Sequence, residues 1–213
     1  MVRAGRDMDD VYRNIAPEDI PWNIARPPVP LVELVERGTV TPCRTIDFGC
    51  GAGNYAIYLA GRGFEVTGVD ISEAAVKLAR RNARERGAQC QFVVADMVAD
   101  PPKLGDPFAF GYDWEVLHHV DFEDREQYAK NVHSLLHPGA RYLTVSFSER
   151  SSQFGGEGKV RETSIGTVLY FSSEDEIAQL YEPYFIIDDL RTMEVAGRRG
   201  THHAVYGLMR RRA

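Results

Sequence analysis

The residues best placed to do chemistry open at Ile46-Asp47-Phe48-Gly49-Cys50-Gly51-Ala52-Gly53. A short apolar run carrying an acid enters a row of alternating glycines. Glycines let a backbone pass close to a ligand with no Cβ in the way. A helix starting at Asn54 would point its N-terminus at that ligand. A dinucleotide loop is the alternative, as in an NAD-dependent oxidoreductase. Its GxGxxG spacing, counted from Gly49, wants a glycine where Asn54 stands. Asp47 argues the same way, because a carboxylate there attracts a cation and repels a pyrophosphate. Two further acids fall in step. Asp70, with Ile71 beside it, closes the next apolar run, where its oxygens can accept from both hydroxyls of a ribose. Asp96 closes the run after that, where it can take an adenine amino hydrogen while Met97 lies on the ring face. Any one of these acids could simply cap a strand end. Three at the ends of successive strands share the carboxyl edge of a sheet, where open α/β sheets bind ligands.

The elements that must hold this constellation alternate. Apolar runs predict strands over 45–48, 65–70, 90–95, 108–112 and 141–147. Between them the pattern predicts helices over 54–60, from a Ser72 cap to Gly87 with Ala75, Val76, Ala79 and Ala83 as the apolar stripe, and over 123–137. Strand and helix alternating in this way imply a parallel sheet covered on both faces. Residues 185–195 and 203–209 read as two more strands joined through Gly197 to Gly200, an antiparallel hairpin, and Ser172 or Ser173 caps a helix before them. The expected fold is α/β: a Rossmann-like, doubly wound sheet of seven strands, mostly parallel with an antiparallel C-terminal edge hairpin. The first thirty residues are polar and then rich in proline, which resists regular structure, with a helix over 29–37 stopped by Gly38. We read 1–40 as an N-terminal lid segment and 41–213 as the main domain, with a polar, Gly-rich flap at about 149–171.

Bulk composition narrows the classes. The chain has 213 residues, 44% hydrophobic and 26% charged, with net charge −6, which suits one soluble domain. The acidic balance argues against a nucleic-acid partner; Arg198-Arg199 and Arg210-Arg211-Arg212 read as a solvated turn and tail. No apolar run is long enough for a membrane span, so a cytoplasmic monomer or homodimer is expected. The three cysteines, Cys43, Cys50 and Cys90, lack CxxC spacing, and no metal is expected.

The Asp-x-Gly-x-Gly-x-Gly loop with its second-strand acid resembles the class I S-adenosylmethionine-dependent methyltransferases, from about Thr45 to Phe147 and on through the terminal strand pair. The ligand's sulfonium and ammonium suit Asp47. The resemblance implies that Asp47, Gly49, Cys50, Gly51, Gly53 and Asn54 hold the methionine moiety, Asp70 and Ile71 the ribose, and Asp96 and Met97 the adenine, with S-adenosyl-L-homocysteine as product. The stretch from Ile20-Pro21-Trp22-Asn23 to Leu31-Val32-Glu33-Leu34-Val35 resembles the N-terminal segment of the thiopurine and thiol/halide methyltransferase group, in which a Trp-containing segment covers the cofactor. Asn23 stands where that group has Asp.

Methyl transfer from a sulfonium is an in-line displacement that mainly needs alignment and exclusion of water, plus a base where the nucleophile arrives protonated. Candidates follow the fourth strand. Asp113 at the strand end is read as stabilising the sulfonium or orienting the acceptor, His118 or His119 as the base, and Trp114 as an acceptor wall. Trp22 and Arg26 are read as forming a lid over the cofactor, with Arg26 binding the cofactor's carboxylate or an anionic acceptor. In the flap, Phe154 and Arg161 are read as acceptor contacts. The activity implied is methylation of a small molecule, with a thiol or other soft nucleophile in view. A nucleic-acid or protein methyltransferase is the alternative; the Asn/Asp-Pro-Pro-aromatic motif of amino-methylating nucleic-acid enzymes is replaced here by Asp113-Trp114-Glu115-Val116.

Overall fold

A computed structural model describes residues 7–152, 158–198 and 200–213. Its main sheet has seven strands: β1 (Arg44–Phe48), β2 (Glu65–Asp70), β3 (Cys90–Val94), β4 (Phe108–Trp114), β5 (Leu136–Phe147), β8 (Phe185–Gly197) and β9 (Gly200–Arg211). Their order is β3-β2-β1-β4-β5-β9-β8. The first five run parallel, and β9 is antiparallel to both β5 and β8. The order reverses beside β1, so the crevice for a ligand opens at the carboxyl ends of β1 and β4.

Each face of the sheet is apolar and must be covered. On one side α2 (Val29–Glu36), α3 (Asn54–Ala60) and α4 (Glu73–Glu85) bury Leu31, Leu59, Val76 and Ala79 against Phe110, Tyr112 and Leu143. On the other, α5 (Arg125–Leu135) and α6 (Glu174–Tyr181) bury Tyr128, Val132, Ile177 and Tyr181 against Ile46, Phe48 and Tyr142. The expected caps form. Ser72 Oγ accepts from Ala75 N at 3.0 Å, and Ser173 with Glu176 closes a capping box.

Three local readings change. The first thirty residues are not all irregular: α1 (Met8–Asn14) is a helix capped by Asp7. It buries one side chain, Val11, so periodicity gave no signal; the helix is held instead by Asp9, whose Oδ1 accepts from Ser72 Oγ at 2.8 Å and Ala74 N at 2.9 Å. The helix predicted over 123–137 stops at Leu135, and β5 starts at once, bulging between the pairs Phe108–Leu136 and Phe110–Arg141. The flap contains a small hairpin of β6 (Val160–Glu162) and β7 (Val168–Tyr170).

Gly68 lies inside β2, directly under the glycine loop. A Cβ there would stand 2.7 Å from Phe92 Cδ1 and 2.9 Å from Cys50 Cβ. Overpacking of this kind costs about 1–3 kcal/mol. Gly68→Ala should therefore lower the melting temperature by several degrees in thermal unfolding, and because the displaced neighbour is Cys50, it should weaken ligand binding at the loop in calorimetry.

Candidate active site

A cavity of about 560 Å³ opens at the carboxyl edge of β1, β2 and β4. Its floor is the turn after β1. Gly49 and Gly51 have φ of 70° and 51°, the left-handed region that glycine occupies without strain. They are also tightly covered: a Cβ on Gly49 would lie 2.4 Å from Val116 Cγ2, and one on Gly51 2.5 Å from the Tyr12 hydroxyl. The loop is thus bare backbone, clamped between the N-terminal helix and the turn after β4.

Three carboxylates meet this floor on different terms. Asp70 Oδ2 accepts from Gly51 N at 2.8 Å and its Oδ1 from Ser72 N at 2.9 Å. Burial raises its pKa and these two bonds oppose the rise. Asp96 Oδ1 accepts from Val98 N at 2.7 Å and Ala99 N at 3.1 Å, which shapes the turn around Met97. Asp47 is different. It is 3% exposed, and its Oδ2 makes no hydrogen bond. Burial pushes its pKa up to about 8; the neighbouring Tyr112 hydroxyl opposes this, while the charges of Asp70 and Asp113 add to it. A buried carboxylate oxygen left unpaired is costly unless a cation comes to it, so the site fits a ligand with positive charge at this end.

The N-terminal segment forms the roof. Trp22 donates from Nε1 to the Tyr12 hydroxyl at 3.0 Å and stands edge-on to Tyr12 and His119. Asn54 donates to Asn23 Oδ1 at 2.8 Å, and Arg198 donates to Asn23 O at 2.8 Å. The first of these ties the roof to α3 and the second to the β8–β9 hairpin.

Most of the sequence-predicted residues converge here. Trp22, Asp47, Gly49, Cys50, Gly51, Asn54, Asp70, Ile71, Asp96, Met97, Trp114 and His119 all line the cavity. Others do not. Gly53 starts α3 and packs on Phe92 and Ala79. Arg26 is exposed and lies off the wall. Asp113 is fully buried behind the cavity: Thr144 donates to it at 3.0 Å and Tyr128 at 3.3 Å, and Tyr142 donates as well. Burial brings its pKa up to about 7 against those bonds. His118 is also buried, stacked on Phe147 with ring centroids 4.2 Å apart. Burial holds its pKa well below the usual histidine range. Arg161 points inward, donating to the carbonyls of Glu149, Ser151 and Gly158 and stacking on Phe171; it fastens the flap and cannot meet an anion in the cavity. Phe154 lies outside the described residues.

Sequence reasoning missed several wall residues. Tyr12 sits on the unpredicted helix. Tyr55 faces the cavity from α3, and Tyr128 from α5. Asn131, buried on α5, donates to the carbonyls of Met97 and Val98 at 2.8 and 3.0 Å and so supports the Asp96 turn. A polar residue one step from Val132 on the buried side of α5 was the available signal. Among the described wall residues there is no lysine or arginine, while Asp7, Glu115, Asp121 and Asp124 add to the acids named above.

Comparison with known proteins fits this geometry. The methyltransferase-domain family matches residues 46–139, the span that builds the floor and its three acids. A 2-heptyl-1-hydroxyquinolin-4(1H)-one methyltransferase of Mycobacteroides abscessus is 30% identical over 184 residues, covering 84% of this chain and 76% of that one. A solved structure from work on conversion of a disulfide bond into a thioacetal group during echinomycin biosynthesis superposes with a TM-score of 0.80 at 27% identity, over 96% of this chain and 90% of that one. The 1,6-didemethyltoxoflavin-N1-methyltransferase of Burkholderia thailandensis, solved with 1,6-didemethyltoxoflavin and S-adenosylhomocysteine, shares the fold with a TM-score of 0.69 at 21% identity, over 96% of this chain and 82% of that one. The chain belongs to the class I S-adenosylmethionine-dependent methyltransferases. S-adenosylmethionine supplies the activated methyl group, and S-adenosylhomocysteine is what remains.

The raised pKa of Asp47 has a sign that can be checked. Between its unfolded pKa near 3.8 and its folded value of about 8, the folded state holds a proton that the unfolded state has lost. Stability contributed by this group therefore falls as pH rises through that window. Asp47→Asn has nothing to ionise. In thermal unfolding without ligand, the variant should gain on the wild type steadily from pH 4 to pH 8; a difference that stays flat with pH would contradict the assignment.

Proposed function

We propose that this enzyme transfers the methyl group of S-adenosylmethionine to an uncharged small molecule through a hydroxyl or thiol, most favourably one on or beside an aromatic ring. The observation that carries the reading is the roofed cavity of about 560 Å³, walled by Trp22, Tyr55, Trp114 and Tyr128 and free of lysine and arginine among its described residues. Aromatic walls suit a flat apolar body. A wall of carboxylates with no cation rejects anions, which disfavours carboxylic acids and the phosphate backbone of nucleic acid. The named relative acts on a hydroxyquinolinone, in keeping with a heteroaromatic acceptor. A thiol stays in view because sulfur chemistry is also the subject of the structure with the 0.80 TM-score.

In this reading Asp47, Gly49, Cys50, Gly51 and Asn54 hold the methionine end, Asp70 and Ile71 the ribose, and Asp96 and Met97 the adenine. Residues 1–40 act as the lid, through Tyr12, Trp22 and Asn23, and 41–213 form the catalytic domain, whose segment at about 149–171 flanks the acceptor side. Trp114 is an acceptor wall, and His119 touches both lid and acceptor space. Asp113, His118, Gly53 and Arg161 hold these parts in place from behind. No helix among the described residues is long and apolar enough to cross a membrane; we place the enzyme in the cytoplasm as a monomer or homodimer.

Calorimetry tests the donor half. S-adenosylmethionine and S-adenosylhomocysteine should bind and NAD should not. Asp70→Ala should weaken the adenosyl ligands by about 10- to 100-fold, the worth of a lost charged hydrogen bond; unchanged affinity would remove Asp70 from the ribose site. For the acceptor half, methyl transfer should be screened over phenols, thiols, amines and carboxylic acids. Phenols or thiols should lead, and transfer confined to carboxylic acids would refute the reading.

A further inference from the structure

Glu115, in the turn after β4, is the one non-glycine residue among those described with a positive φ, at 62°. Its amide donates to Val145 O at 2.7 Å, so this unusual backbone is tied to β5. The residue lines the cavity, and its Oε1 accepts from His202 Nε2 at 2.5 Å. His202, on β9, is 6% exposed at its side chain against 14% for Glu115. The imidazole stands edge-on to Phe147 with centroids 4.6 Å apart. A carboxylate in the wall is thus gripped from behind by a buried imidazole on a distant strand. Glycine or asparagine would occupy this backbone more easily; strain retained at a ligand cavity points to a side chain with a task there. Val116, the next residue, lies directly over Gly49, so Glu115 sits beside the glycine loop. His119, the imidazole that lines the cavity, is pushed down to about 4 by burial, which makes it a weak proton acceptor at neutral pH.

We propose that Glu115 is the catalytic base that takes the proton from the acceptor's hydroxyl or thiol, and that His202 is the residue that positions it. The inference rests on the small-molecule reading above. In the step, the X–H bond of the acceptor breaks and its proton passes to the Glu115 carboxylate. The electron pair left on X forms the bond to the methyl carbon. The sulfonium C–S bond breaks and its pair stays on sulfur.

The test compares wild type, Glu115→Gln and His202→Gln on three probes: phenols of graded acidity, thiophenols, and thioanisole, which has no proton to lose. S-adenosylmethionine affinity is measured for each by calorimetry, which also reports correct folding. Glu115→Gln should keep that affinity and lower kcat on phenols ~10²–10⁴-fold relative to thioanisole. The loss should shrink on thiophenols, which are already ionised near neutral pH. His202→Gln should lower kcat on phenols in the same order of probes, with KM for S-adenosylmethionine unchanged. Weakened donor affinity with kcat intact at saturating donor would make Glu115 a ligand of the donor's ammonium group and overturn the proposal. Equal losses on phenols and thioanisole would overturn it too. Transfer to none of the three probes by wild type would strike the small-molecule reading and the base together; transfer to all three without dependence on Glu115 would strike the base alone.

Discussion

Putting carboxylates at the carboxyl ends of buried parallel strands is expensive, and the way each cost is met organises this site. Asp113 receives Tyr128, Tyr142 and Thr144. Asp70 receives two backbone amides, one of them from the glycine loop itself. Asp47 receives nothing on its Oδ2. Buried polar groups are almost always satisfied; of the six buried side-chain atoms without a partner among the described residues, Asp47 Oδ2 is the one carboxylate oxygen, and it fits a ligand that brings positive charge. Three acids that look alike in sequence thus divide: one braces the sheet, one shapes the loop, and one waits for positive charge.

The same logic explains the roof. Ahead of α2, residues 7–28 bury few apolar side chains, chiefly Val11 and Ile20. The segment is held by polar bonds to core elements: Asp9 to the start of α4, Asn23 to Asn54, and the Asn23 carbonyl to Arg198. These bonds join the roof to α3, α4 and the turn of the β8–β9 hairpin rather than to the sheet itself, in keeping with the lid role proposed above.

This difference in what holds each part decides how much was legible in the sequence. The sheet and its helices were legible because hydrophobic periodicity and caps are local: the Ala75, Val76, Ala79, Ala83 stripe is the buried face of α4. The glycine loop, Asp47, Asp70 and Asp96 were legible because each is fixed by its place at a strand end. Tyr12, Asn131 and Glu115 were not, since each gains its meaning from a partner far away in the chain. Asp113, His118 and Arg161 were misread as facing the acceptor for the same reason. A strand end or a flap supplies a side chain, but tertiary contacts decide whether it turns to the cavity or to the core. The short helix α1 and the β6–β7 hairpin carry too few apolar residues for any pattern to register.

The donor and acceptor halves proposed above differ in how they can change. The donor floor is made by β1 to β3 and the turns that directly follow them, so it is secured by short-range chain geometry. The acceptor side hangs on long-range ties. His202 of β9 reaches Glu115, while buried Arg125 of α5 donates to Leu117 O, Val120 O and, in the flap, Tyr170 O, and so joins the turn after β4 to the flap. Substitutions in the β8–β9 hairpin or the flap can reshape these ties while leaving the bonds of Asp70 and Asp96 alone. On the reading proposed above, one donor-binding floor serves different acceptors, and the determinants of acceptor choice lie in the antiparallel edge and the turn it supports.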